Sequence, residues 1–83
     1  MLSRSYAEKA AKMLAERMAY EADVGGKAIF HNVTCRALRK RFAWSINGNR
    51  ASRDDCEASL ASFFEAGSEE DIPSIVRGAM ARG

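Results

Sequence analysis

Cys56, His31 and the neighbouring acids Asp54 and Asp55 are the residue types of a thiol enzyme. Such an enzyme needs a thiolate to attack, an imidazole to take the proton and a carboxylate to orient the ring. A place in the first turn of a helix would favour the thiolate at Cys56. The same cysteine, however, is followed by Leu60, Phe63 and Phe64 at i+4, i+7 and i+8, the spacing of a buried helix face. A thiol on that stripe is expected to be structural, and Cys35, on a strand, is expected to be the same. The sequence therefore predicts no catalytic residue and no enzyme.

Metal and phosphate chemistry fare no better. His31 is the single histidine, so a metal site would have to gather it, both cysteines and a carboxylate from distant segments. No metal and no cofactor are expected. Gly25-Gly26-Lys27 lacks the spacing of a phosphate-binding loop and follows a helix instead of a strand. Glu69, Glu70 and Asp71 match the acidic first turn of a helix better than a general acid and base pair.

What remains is a lopsided charge distribution. Between Asp23 and Asp54 there is no acid, while Lys27, Arg36, Arg39, Lys40, Arg41, Arg50 and Arg53 contribute seven positive charges. The other six basic residues face all 11 acids, which leaves the flanks at minus five and the whole chain at +2. Cations without interleaved acids cannot neutralise one another locally, so they either decorate a solvated sheet or form a patch for an anionic partner. The predicted partner-binding set is Arg36, Arg39, Lys40, Arg41, Asn49, Arg50 and Arg53. Trp44 alternates with Phe42 and Ile46 and is expected in the core first, stacking on a base second.

The elements that position this patch read as a single α+β domain over residues 1–83, in the order α-β-β-α-α. From Ser3 to Ala22 strong helix formers carry Tyr6, Ala10, Met13, Leu14 and Met18 at helical spacing, with Glu8/Lys12 and Arg17/Glu21 as i,i+4 pairs. Gly25-Gly26 ends this helix. Lys27 to Asn47 is rich in β-branched and aromatic residues and is expected to form one hairpin turning near Arg36 to Lys40, although Ala37 to Arg41 also fits a helical turn. In its first strand Ile29, Val33 and Cys35 would share a face with His31, and Phe30 would point the other way. Asn47-Gly48 should stop the second strand.

A second helix should follow, capped by Ser52 with Asp55 at capping-box spacing and closed by Gly67. A third should start at Ser68 to Asp71, with Pro73 in its first turn and Ile72, Ile75, Val76, Ala79 and Met80 as its apolar stripe. Eighty-three residues leave room for one modest core. No stretch approaches the ~20 consecutive apolar residues of a membrane span, and the charged start offers no secretory signal. The expectation is a soluble protein of a bacterial cytoplasm with reduced thiols, the alternative being a single disulfide between Cys35 and Cys56.

The segment Arg41 to Ser52, a basic aromatic strand, an Asn-Gly-x-Arg turn and a Ser-capped helix, resembles small accessory proteins of phages and mobile elements, anti-CRISPR proteins among them. That resemblance implies a non-catalytic inhibitor that occupies a working surface of a CRISPR-Cas effector complex in the host cell. Such proteins are commonly acidic mimics of nucleic acid, and the basic middle of this chain departs from that pattern. The alternative is a small nucleic-acid-binding protein that uses the same cations on phosphates. An exposed hairpin edge also leaves a homodimer open.

Overall fold

A computed structural model describes residues 1–82. A helix-forming run makes α1, Arg4–Gly25, begun where the Tyr6 N–H donates to Ser3 Oγ at 3.2 Å and ended by Gly26, whose φ of 94° suits a residue without a Cβ. Its buried stripe is mostly alanine: Ala7, Ala10, Ala11, Ala15 and Ala22 join Leu14 and Met18, while Tyr6 and Met13 lie at the margin. Small side chains let the neighbouring elements approach the helix closely.

The basic middle of the chain is a four-stranded antiparallel meander, β1 Lys27–Phe30, β2 Val33–Leu38, β3 Arg41–Ile46 and β4 Asn49–Ala51, in the order β1-β2-β3-β4. Each connection has two residues, and each holds at least one residue at positive φ: His31 (54°), Lys40 (74°), and Asn47 (52°) with Gly48 (83°). Positive φ at both central positions is the turn geometry that follows the natural twist of a hairpin.

The predicted order α-β-β-α-α is thus corrected to α-β-β-β-β-α-α. The segment expected as one first strand is two strands, because the chain reverses at His31-Asn32. Ile29 consequently faces away from Val33 and Cys35, and Phe30 faces with them, the reverse of the expected pattern. Asn47-Gly48 stops the strand as expected but also turns the chain into a further strand, β4, and the helical alternative at Ala37 to Arg41 gives way to strand and turn.

Helix α2, Arg53–Ala66, starts at Ser52, whose Oγ accepts from the Asp55 N–H at 3.0 Å, one half of the expected capping box. Gly67 closes it, and a Cβ there would collide with the Asp71 carboxylate. The acids Glu69–Asp71 form a separate 3-10 turn, in which Asp71 Oδ2 accepts from the Ser68 N–H at 2.8 Å. Helix α3, Ser74–Arg82, begins only after Pro73, whose carbonyl accepts from the Val76 and Arg77 N–H groups. The third helix therefore starts later than the sequence suggested, because those acids cap a turn of their own.

One face of the sheet meets the helices. Ala28, Val33, Cys35 and Trp44 share a core with α1, with Cys56, Leu60, Ala61 and Phe64 of α2, and with Ile72 and Val76. Phe30, Phe63 and Phe64 pack ring against ring with centroids 5.8 to 6.2 Å apart.

Candidate docking face

Strand register decides which cations come together. Successive side chains on a strand point to opposite faces. The rows Ala28/Cys35/Trp44/Ala51 and Phe30/Val33/Ile46/Asn49 therefore belong to the core side. The alternate rows, Leu38/Arg41, Lys27/Arg36/Ala43 and Ile29/Thr34/Ser45/Arg50, form the outer side. Lys27, Arg36, Arg41 and Arg50 are all exposed there, and so are Ile29 (61%) and Leu38 (44%).

Within this face Lys27 lies directly opposite Arg36, and Arg36 is the diagonal neighbour of Arg41 across β2 and β3. Opposite residues have Cβ atoms only about 4.5–5.5 Å apart, and diagonal ones about 7–8 Å. Arg50 stands one strand further on, opposite Ser45. Among the described residues, the ion pairs are Arg4–Glu8, Arg4–Glu65, Arg17–Glu21 and Arg53–Glu57, so none quenches a cation of the outer face. Arg39 and Lys40 extend the positive field from the β2–β3 turn, both exposed.

Two residues of the sequence-derived set stand apart. Arg53 is in the first turn of α2, with Nε 3.0 Å from Glu57 Oε2 and its guanidinium 5.8 Å from the Trp44 ring centre. Asn49 is exposed but belongs to a core-side row, opposite Ile46. Lys27, absent from that set, stands on the outer face at the β1 edge of the sheet, opposite Arg36. The signal that would have found it is Asn32, a residue that favours turns: splitting the first strand there puts Lys27 across from Arg36.

Among the described residues no side-chain hydrogen bond joins Cys56, His31, Asp54 and Asp55 to one another. Cys56 is fully buried, its Sγ lies 3.9 Å from the Ser45 carbonyl oxygen, and burial, helped by Asp55, pushes its pKa up to about 11. Burial also raises the pKa of Cys35. The His31 ring lies flat on Phe63, centroids 4.1 Å apart. Both cysteines are free thiols, and among the described residues no three His, Cys, Asp or Glu side chains are grouped to hold a metal ion. Trp44 is 8% exposed and belongs to the core, as expected. Among the described residues no helix is long and apolar enough to cross a membrane.

Comparison of the chain with protein-family models, with curated proteins and with solved structures finds no match. The class is accordingly defined by architecture alone: a small α+β domain with helices on one face of a four-stranded antiparallel meander and a basic, uncovered second face.

Proposed function

We propose that this chain is a non-catalytic binding module whose open sheet face docks on an acidic surface of a protein complex and blocks it. The carrying observation is the contiguous run Lys27, Arg36 and Arg41, exposed on one face and without a carboxylate partner among the described residues. Ile29 and Leu38 stand exposed among these cations, and arginine mixed with apolar surface is the composition of protein interfaces. A platform for single-stranded nucleic acid would present aromatic rings for stacking, and the outer rows hold none. A CRISPR-Cas effector is the partner class favoured by the resemblance of Arg41 to Ser52 to anti-CRISPR proteins.

The second reading, phosphate binding on a nucleic acid, is favoured by the lack of any acid between Asp23 and Asp54. One experiment separates the two. The tagged chain and its Arg36→Glu/Arg41→Glu variant are used to capture partners from a bacterial lysate, with and without nuclease. A protein retained by the wild type after nuclease and lost by a normally folded variant supports protein docking. Retention that disappears with nuclease supports the nucleic-acid reading, and retention by the variant removes the face from both.

A further inference from the structure

Strand β3 outruns β4. Trp44, Ser45 and Ile46 have partners in β4, but Arg41, Phe42 and Ala43 have a neighbour only on the β2 side, because the chain leaves the sheet at Ser52 to begin α2. The result is a notch of about 500 Å³ whose walls include Arg41, Arg50, Ser52 and Arg53 and whose apolar side is Phe42 and Trp44.

Its polar side chains are rich in unused donors. Arg41 and Arg50 have no carboxylate partner among the described residues, so each offers a full guanidinium. Arg53 gives only its Nε to Glu57, and its guanidinium carbon lies 5.8 Å from the Trp44 ring centre. Ser52 Oγ accepts from Asp55, which leaves its hydroxyl hydrogen free to donate. Asp54 does not compete, since it lines a separate groove against α1 with Arg4, Glu8 and Lys12.

Two uncompensated positive charges, a third that is anchored, and a hydroxyl donor suit a small, doubly charged acceptor with several oxygens. Planar guanidinium groups bind phosphate oxygens in pairs, and an arginine already fixed by a neighbour gives up less freedom on binding. A carboxylate would satisfy one arginine and leave the second unneutralised.

We infer that the notch where β3 outruns β4 is a binding site for a phosphate dianion, free or as a small monoester, held by Arg41, Arg50, Arg53 and Ser52. This site does not rest on the docking proposal: it is set by the end of β4 and takes a small ligand, whether or not the sheet face binds a macromolecule.

The test is calorimetric titration of the full chain with inorganic phosphate, phenyl phosphate and acetate at fixed ionic strength. Saturable 1:1 binding of phosphate and no saturation by acetate is expected. Phenyl phosphate bound more tightly than phosphate would identify a ring-bearing monoester as the ligand, and equal affinity the phosphate group itself. Arg41→Gln/Arg50→Gln should weaken binding by about tenfold or more, as loss of two charge-assisted contacts does. Lys9→Gln/Arg17→Gln, which removes the same charge from α1 on the other side of the sheet, should change it by less than about twofold. Trp44 fluorescence checks that both variants are folded. Equal weakening in both pairs, or no saturation by phosphate up to roughly 50 mM, a level far above a useful affinity, overturns the proposal.

Discussion

Lys27 and Arg36 are cross-strand partners on the open face of the sheet, two like charges set side by side with no carboxylate paired to either among the described residues. Like charges directly opposite each other weaken a sheet, by an amount comparable with the roughly 0.2–1 kcal/mol that favourable pairs contribute. Elsewhere the chain places opposite charges at i,i+4, as in Arg4–Glu8, Arg17–Glu21 and Arg53–Glu57. A repulsive pair where an attractive one was available is what a surface kept for a partner would retain.

Reversing one of the two charges should therefore move stability and binding in opposite directions. Lys27→Glu creates an opposite-charge pair with Arg36 and should raise stability by about 0.2–1 kcal/mol in denaturant unfolding. The same variant should capture its partner more weakly than the wild type. Stability and binding that fall together would show that Lys27 serves the fold.

Trp44→Ala tests which face is the core. The indole is 8% exposed and packs in the layer between Cys35 and Ala51. Truncating a buried aromatic costs about 3–5 kcal/mol, a large share of the 5–15 kcal/mol that holds a typical domain together. Circular dichroism at room temperature should show a largely unfolded chain or a much lower melting temperature.

Cys56 gives a pH dependence of known sign. Its thiol pKa is raised from 9.0 to about 11 in the fold, so the folded state holds the proton more tightly than the unfolded chain does. That contribution is fully present below pH 9, is lost progressively as the pH rises to about 11, and stays lost above it. A two-unit difference corresponds to about 2–3 kcal/mol as an upper bound. Unfolding free energies measured across this window should fall more steeply for the wild type than for Cys56→Ala. Parallel slopes would show that the thiol ionises as readily in the fold as outside it.

The helices were legible in the sequence and the sheet only partly so, for reasons visible at individual residues. Ser52, Gly26 and Gly67 act locally, through a cap, a positive φ and a close approach, and their signals survive without tertiary context. The turn at His31-Asn32 lacks glycine and is held from outside, by the His31 ring on Phe63 and by the Asn47 N–H donating to the Asn32 carbonyl at 2.8 Å. Neither contact can be read from neighbouring residues. Missing that turn merged β1 with β2, misassigned the faces of Ile29 and Phe30, and left Lys27 out of the patch. The gathering of cations in the middle of the chain is nonetheless legible, because the lack of acids from Val24 to Arg53 is a property of composition, whereas the pairing of Arg53 with Glu57 depends on where α2 begins.

The β2–β3 turn carries a strain that its sequence does not require. Lys40 sits at φ 74° with an exposed side chain, a conformation that costs a residue with a Cβ roughly 1–2 kcal/mol and glycine nothing. Against that gain stands the greater freedom of glycine in the unfolded chain, worth about 0.5–1 kcal/mol. Lys40→Gly should therefore stabilise the domain by up to about 1.5 kcal/mol in chemical unfolding, while Lys40→Ala, which keeps the Cβ, gains nothing from relief of strain. If the lysine is retained for its charge at the tip of the basic hairpin, the more stable glycine variant will bind the partner less well. A glycine variant no more stable than the alanine one would show that the turn already accommodates its lysine without cost.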